Sequence, residues 1–143
     1  MQLSRSRRHG FTLLEIMIVV SVIALLAAIA VPSFLRARKR SEATLVLNDL
    51  RLLDAALAQF AIDNNKTTGT EVTFADLQPY LKQNSTLYHT GRDIFGNDFA
   101  AFAVDSLPLV PTATWRALSD VASEAFWSPY SQERAPAGSI SSP

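Results

Sequence analysis

Two stretches in the first half of the chain carry most of its hydrophobic residues, and they differ in pattern. From Phe11 to Leu35 nearly every residue is apolar, and the one charged residue is Glu15. A helix of this length would reach about 37 Å, which exceeds the hydrocarbon core of a bilayer at about 30 Å. The pattern therefore predicts a transmembrane helix over residues 11–35.

The second stretch, residues 41–64, is amphipathic. Its main apolar positions recur every three or four residues, as expected for one buried face of a helix: Val46, Leu50, Leu53, Leu57 and Phe60, with Leu47, Ala56 and Ala61 beside them. We expect the helix to continue from the membrane into a small head, so that residues 36–130 form the amphipathic continuation and the globular part. The Pro/Ser/Gly-rich residues 131–143 are predicted to be a flexible tail.

Short elements are predicted within the head. Thr73 is a candidate N-cap and Asp76 stands where a capping-box acid lies, ahead of three residues expected to point inward: Leu77, Tyr80 and Leu81. Residues 87–105 are the best strand candidate, with a hairpin over 94–99 whose turn is the pair Gly96 and Asn97, of type II′. The predicted second strand, 99–104, is apolar on both faces.

A further helix is predicted from Trp115 to Phe126. Five residues at helical spacing are expected in its buried face: Trp115, Leu118, Val121, Ala122 and Ala125. Taken together, the elements predict an α+β fold, in which a long N-terminal helix carries a small head with short helices and a small antiparallel sheet or hairpin.

The formal net charge of zero conceals a strong asymmetry. Residues 1–10 carry three arginines and no acid, residues 36–40 carry four basic residues and no acid, and the chain after residue 40 has six bases against twelve acids. An acidic head repels phosphate backbones, which argues against direct nucleic-acid binding. Because the two basic clusters that bracket the apolar span are similar in size, the positive-inside rule does not choose a topology. Residues 36–40 fit contact with lipid headgroups at the helix exit.

The residues that usually build catalytic centres are scarce. The chain has no cysteine and only two histidines, His9 and His89, and it has no glycine-rich phosphate loop. We therefore expect no enzyme activity, no disulfide and no cofactor.

Glu15 is the unusual residue of the apolar span. An acid in such a segment is costly unless it is paired, so it indicates a functional site. A secretory signal peptide is an alternative explanation of the N-terminal pattern, with cleavage behind Ala27, Ala28 and Ala30. The apolar run nevertheless continues past these alanines to Leu35.

The residues Gly10, Phe11, Thr12, Leu13, Leu14 and Glu15, with the apolar run and Pro32 behind them and a basic leader in front, resemble the type IV prepilin family. That family includes type IV pilins and the pseudopilins of type II secretion. The resemblance implies that residues 1–10 are a leader removed between Gly10 and Phe11 by a membrane aspartic peptidase. It also implies methylation of the new Phe11 amine and assembly into a helical filament through residues 11–35.

Cleavage would give Glu15 a partner. An α-amine has a reference pKa of about 7.7–8.0 and is mostly cationic at neutral pH, so the Phe11 amine of a neighbouring subunit can pair with Glu15 and fix the axial register. A local alternative is that the helix macrodipole alone stabilises Glu15, by about 0.3–1 kcal/mol. Pro32 either kinks the helix or marks a stretch that unwinds when subunits pack.

Residues 93–99 loosely resemble the Asp-Pro-Trp-Gly-Asn-Pro-Tyr loop of major pseudopilins, although both prolines are missing. In that family the following region can bind calcium, which makes Asp93, Asp98 and Asp105 weak calcium candidates. Ordinary solvation of loop acids is the alternative, because the EF-hand spacing is absent.

The resemblance implies a structural subunit of a type II secretion pseudopilus. The short head, the lack of a C-terminal disulfide pair and the 93–99 loop favour it over a type IV pilus subunit for adhesion, motility or DNA uptake. A membrane-anchored binding module is a second alternative. The implied partners are other filament subunits, the prepilin peptidase and methyltransferase, and an inner-membrane assembly platform. The implied location is the bacterial inner membrane, crossed once with the head in the periplasm, and then a filament.

Overall fold

A computed structural model describes residues 10–99 and 102–131 of the chain. The predicted leader, apart from Gly10, and the predicted tail, apart from Ser131, lie outside these residues, as do Ala100 and Ala101 of the predicted strand. The chain divides into two compact units, Met1–Ala37 and Arg38–Pro143.

Helix α1, Leu13–Asp63, is the dominant element and is continuous over 51 residues. The other elements are short and belong to the second unit. They are β1 Glu71–Val72, α2 Phe74–Leu77, a 3₁₀ turn Gln78–Tyr80, α3 Thr86–Thr90, β2 Phe102–Ala103, α4 Thr112–Ala117 and α5 Glu124–Trp127. The fold is α+β, as the sequence predicts.

The head is built on the apolar face of α1. Among the described residues, this helix supplies seven of the nineteen buried apolar side chains: Ala43, Val46, Leu47, Leu50, Leu53, Ala56 and Leu57. Phe60 and Ala61 pack on the same core while partly exposed. The predicted apolar face of residues 46–61 is thus confirmed, because a 3.6-residue period leaves little freedom in which side chains share a face.

The sheet is minimal and antiparallel. Its two strands pair Glu71 with Ala103 and Val72 with Phe102. The loop before β1 is fixed to the same ladder, since the Gly69 N–H donates to the Val104 carbonyl at 2.9 Å.

The strand prediction for residues 87–105 is largely wrong. Residues 86–90 form α3, which begins at the N-cap Ser85 and ends at Gly91 in the left-handed region with φ 64°. Ser85 Oγ accepts the Tyr88 N–H at 3.1 Å, and this capping bond stabilises a helical turn where a strand was expected. Of the described residues in this range, 102–103 alone form a strand, and they pair with β1.

The predicted hairpin survives as a tight loop with a different turn. The Asp93 N–H donates to the Asn97 carbonyl and the Gly96 N–H donates to the Asp93 carbonyl, both at 3.0 Å. Gly96, with φ 81°, is therefore the third residue of a three-residue loop rather than the first central residue of a type II′ turn. A single bridge between Arg92 and Asp98 replaces the expected ladder.

The predicted N-cap at Thr73 and its capping-box acid Asp76 are confirmed. Asp76 Oδ2 accepts the backbone N–H of Thr73 at 2.9 Å and its hydroxyl at 2.6 Å. These hydrogen bonds lower the pKa of Asp76, the one from the Thr73 hydroxyl having the larger effect. Leu77 and Leu81 are buried and Tyr80 is partly buried against the core, as expected.

The predicted single helix from Trp115 to Phe126 is wrong. The chain turns after α4, and α5 follows the N-cap residue Ser123, which is extended with ψ 167°. Leu118 and Ala122 are buried as predicted, but Trp115 is exposed, as is Ala125. Three residues that the pattern did not indicate fill the core instead: Val110, Trp127 and Tyr130. The Tyr130 hydroxyl donates to Asp54 on α1 at 3.1 Å, which ties the end of the described chain to the long helix.

Candidate functional site

The start of α1 is capped by its own sequence. Thr12 precedes the first helical residue, and its Oγ1 accepts the backbone N–H of Glu15 at 3.2 Å. The Thr12 carbonyl accepts the N–H of Ile16 at 3.3 Å. Glu15 is therefore the third residue of the helix, where a negative side chain faces the positive end of the macrodipole.

Sequence reasoning missed this cap, although a signal for it was present. Thr12 and Glu15 have the spacing of a capping box, in which a Ser or Thr is followed three residues later by Glu. The cap fixes the backbone of Glu15 at the helix end, and no contact with a second subunit is needed for this. It leaves the carboxylate exposed and available to a partner.

The apolar segment of the first unit is exposed over its whole length. Every residue from 10 to 35 is exposed, and the exposed fraction of Phe11 reaches 79%. Helix α1 is the one described helix long and apolar enough to cross a membrane, judged by length and composition. Exposure of so much apolar surface to water is unfavourable, so lipid or other protein chains must cover it.

Gly10 has no structural need to be glycine within the described chain. A Cβ built on Gly10 would meet nothing within 4 Å, and its φ lies outside the left-handed region. Packing among the described residues therefore sets no requirement for a small residue at position 10.

Pro32 lies inside α1 without ending the helix. Its nitrogen has no hydrogen to donate to the preceding turn, so one helical hydrogen bond is missing there. The hydroxyl of Ser33 donates to the Ile29 carbonyl at 3.0 Å in the same turn. The structure shows this stretch as helix, and unwinding on subunit packing stays a prediction.

The three calcium candidates have separate protein partners. Asp98 forms an ion pair with Arg92 at 2.8 Å, and Asp105 accepts a hydrogen bond from the Thr68 hydroxyl. Asp93 is buried and is bonded to groups of its own loop and of α4. Within residues 10–99 and 102–131, no group of three or more His, Cys, Asp or Glu side chains is placed to hold a metal ion. Calcium binding stays a prediction from the sequence.

Asp93 instead organises the 93–97 loop. Its Oδ1 accepts the N–H groups of Phe95 at 2.9 Å and Asn97 at 2.8 Å, and its Oδ2 accepts the hydroxyl of Thr114. The Asn97 amide also donates to Thr114 Oγ1 at 2.8 Å. A buried carboxylate is tolerated when donors surround it, so this network holds the loop on α4.

Asp93 also affects a carboxylate on the long helix. The pKa of Asp49 is raised from 3.8 to about 6, first by its own burial and then by repulsion from Asp93. Sequence reasoning did not single out Asp49, because a polar residue on the flank of an amphipathic helix is usually solvated.

The basic cluster at residues 36–40 is partly paired. Arg38 binds Glu42 one turn further along at 3.0 Å, and Lys39 binds Asp120 at 2.8 Å. Arg36 and Arg40 are exposed. The cluster follows directly after the apolar segment, where cationic side chains can reach lipid headgroups.

Comparison with known proteins agrees with this arrangement. Residues 5–31 match the family model described as the prokaryotic N-terminal methylation motif. The chain is 37% identical over 102 residues to the type II secretion system core protein G of Klebsiella pneumoniae, covering 65% of this chain and 73% of the relative. It is 29% identical over 104 residues to the protein of the same name from Klebsiella michiganensis, covering 66% and 73%.

A relative with a different name covers less of the chain. The type IV wide pilus major component PilA4 of Thermus thermophilus is 40% identical over 68 residues, covering 48% of this chain and 52% of the relative. No solved structure gives a significant match.

The methylation motif covers the capped helix start and most of the exposed apolar segment, and the Klebsiella pneumoniae alignment covers most of that relative's length. The chain therefore belongs to the type IV prepilin-like family, which includes type II secretion system core protein G and the type IV pilins.

Proposed function

We propose that the chain is a structural subunit of the helical pseudopilus of a type II secretion system. The observation that carries the proposal is the fully exposed apolar segment of α1, which lies within and just beyond a methylation motif. Such a surface is covered by lipid before assembly and by neighbouring subunits afterwards. The similarity to core protein G extends over 102 residues, well beyond the motif, and this favours the pseudopilus.

Processing would occur between Gly10 and Phe11. The open space around Gly10 supports this, because nothing in the described chain requires a small residue there and a peptidase cleft would. Cleavage by a prepilin peptidase exposes the α-amine of Phe11, which a methyltransferase then modifies. Residues 1–10 are the leader in this scheme.

Assembly would use Glu15 in addition to apolar packing. Its position in the first turn of α1 presents the carboxylate at the start of the apolar segment, close in sequence to the new amine. In a filament, the Phe11 amine of a neighbour would pair with Glu15. Any other axial stagger would leave the acid unpaired in an apolar environment.

The proposed location is the bacterial inner membrane, crossed once by the first part of α1, with the head in the periplasm until assembly. The proposed partners are identical or homologous filament subunits, the peptidase and methyltransferase, and the assembly platform. The proposed role is structural, without enzyme activity.

A type IV pilus subunit is the alternative function. The identity of 40% with the Thermus thermophilus pilus component supports it. That alignment covers 48% of the chain, against 65% for core protein G of Klebsiella pneumoniae, so we place the pseudopilus first.

The intact mass of the protein extracted from membranes tests the processing step. We expect loss of residues 1–10 and gain of one methyl group. The Gly10→Leu variant is expected to keep its leader. If this variant yields the same mature mass and the same Phe11 N-terminus as the wild type, the processing proposal is wrong.

The two glutamates of α1 provide a matched pair for the assembly step. Glu15→Ala is expected to insert into the membrane and to lose filament assembly, whereas Glu42→Ala removes only the ion pair with Arg38 and is expected to assemble. Equal filament yield from both variants would contradict the pairing role of Glu15, whereas insertion of the wild type without any filament would favour a membrane-anchored binding module. Secretion and pilus assays in a strain lacking the gene then separate pseudopilus from pilus.

A further inference from the structure

Three side chains of the head meet in the order that acyl transfer requires: Asp93, Thr114 and Asn97. The Thr114 hydroxyl donates to Asp93 Oδ2, and the side-chain nitrogen of Asn97 lies 2.8 Å from the same Thr114 oxygen. A carboxylate, a hydroxyl and a carboxamide in contact can act as general base, nucleophile and electrophile. The carbon that a nucleophile would attack is one bond away from the Asn97 nitrogen.

The loop and α4 hold these groups in place. The backbone N–H of Asn97 donates to Asp93 Oδ1 at 2.8 Å, and the Asn97 carbonyl accepts the Asp93 N–H at 3.0 Å. Base and electrophile are thus fixed on one tight loop, whereas the nucleophile lies on α4, 17 residues after Asn97. Rotation of the Asn97 amide about χ2, a broad torsion, turns its carbon toward Thr114 without moving the loop. Groups held at contact distance react faster because little entropy remains to be lost.

The burial of the site suits an ester product. Thr114 is wholly buried and Asp93 is 3% exposed, so water has little access to the oxygen of an ester formed there. Asn97 is partly exposed, which gives ammonia released from its amide a route to solvent. Dilution of that ammonia opposes the reverse reaction.

We propose that the chain joins Thr114 to Asn97 by an intramolecular ester bond. Asp93 takes the hydroxyl proton as the Thr114 oxygen attacks the side-chain carbonyl carbon of Asn97. The C–N bond of the amide then breaks, and its nitrogen takes the proton from Asp93 and leaves as ammonia. One C–O bond replaces one C–N bond, the Asp93 carboxylate is regenerated, and neither an oxidant nor a reductant is needed.

Such a bond would hold together a head with few other links. The chain contains no cysteine, and the sheet formed by the described residues has two residue pairs. A covalent link between residues 97 and 114 restricts the unfolded chain in the way a disulfide does, and small domains often depend on such links. The inference concerns the head and does not depend on the filament function.

The intact mass of the full-length gene product, measured after denaturation, tests the bond. Allowing for N-terminal processing, the wild type is expected to weigh less than its sequence by one ammonia. Thr114→Val lacks the nucleophile and Asn97→Ala lacks the electrophile, so both are expected to keep the full mass. Thr114→Ser is expected to show the loss again. Thr112→Val, at an exposed position of the same helix, is the matched control and is expected to show it too.

Proteolysis locates the bond. Trypsin leaves both residues in one peptide, 93–116, because no lysine or arginine lies between them. Chymotrypsin then cuts after Phe99 and Phe102, and an ester is expected to keep the pieces with Asn97 and Thr114 joined. Asp93→Asn, in a preparation whose Trp127 fluorescence shows a folded head, is expected to slow formation of the joined species by about a hundredfold. Pulse labelling of newly made chain measures this rate.

Three results would overturn the proposal or part of it. A wild type of full mass, or chymotryptic pieces that separate, would leave the three groups as a hydrogen-bonded network. Loss of ammonia that persists in Thr114→Val would indicate a succinimide between Asn97 and Asp98, which has the same change in mass. An unchanged rate in folded Asp93→Asn would contradict its role as the base. The filament proposal is unaffected by each of these.

Discussion

Replacing Asp49 with asparagine is expected to stabilise the head at neutral pH. Asp49 is half-buried on α1, and its pKa is raised from 3.8 to about 6 by burial and by the nearby Asp93. The folded chain therefore holds this proton more tightly than the unfolded chain does. Stability from this group is fully present below pH 3.8, is lost as the pH rises through about 6, and is absent above that.

The pKa shift of Asp49 sets the size of the expected change in the free energy of unfolding. A rise from 3.8 to about 6 corresponds to about 3 kcal/mol for a group fully shielded from water. Solvent screening of a half-buried carboxylate reduces the expected penalty to about 1–2 kcal/mol. Asparagine has nearly the same shape and no charge, so Asp49→Asn removes the penalty at every pH.

Urea unfolding in detergent micelles, followed by tryptophan fluorescence, measures this difference. Trp127 is wholly buried and reports loss of the core. At about pH 7.5 the variant is expected to be more stable than the wild type by about 1–2 kcal/mol, and near pH 4 the two are expected to converge. Asp63→Asn, at an exposed acid of the same helix, is the matched control and is expected to change the stability at pH 7.5 by less than Asp49→Asn does. A variant no more stable at the higher pH, or a gap of equal size at both, would refute the reasoning.

Two other substitutions test the packing of the head in the same unfolding assay. Thr114→Val removes the hydroxyl that donates to the buried Asp93, and we expect a loss of about 2–3 kcal/mol; a loss under about 0.5 kcal/mol would show that the remaining donors suffice for this carboxylate. Gly91→Ala forces a Cβ to within 3.0 Å of the Phe74 ring at φ 64°, whereas Gly96→Ala at φ 81° meets open space. Both are expected to destabilise by about 1 kcal/mol or more through backbone strain, with Gly91→Ala the costlier. Equal losses would show that the ring yields freely.

Elements encoded by local pattern could be predicted from the sequence. The buried face of α1 follows from residue spacing alone, and the cap at Thr73 follows from a threonine and an aspartate three residues apart. In the candidate site, Gly10, Phe11 and Glu15 could be proposed from the sequence because they stand together in one short motif. These features need no information about which distant segments meet.

Features that depend on distant segments could not be predicted. Strands of two residues are too short to show a period, and Val72 and Phe102 meet only because the head folds back on itself. The burial of Asp93 depends on Thr114, 21 residues later, so its sequence neighbours suggested a solvated loop acid. The apolar run near Phe102 suggested a long strand. An apolar sequence indicates that a segment is buried on both faces, but it does not show whether a partner strand lies beside it.

The sharing of α1 between the apolar segment and the head core has a mechanical consequence. A force that pulls the first part of the helix acts on side chains such as Leu50 and Leu53, which lie in the middle of that core. The head would resist by close apolar packing, since its sheet has only two residue pairs to break. Packing of this kind is spread over many weak contacts within one core, so a subunit pulled during extension of a filament is expected to lose the core cooperatively rather than one contact at a time.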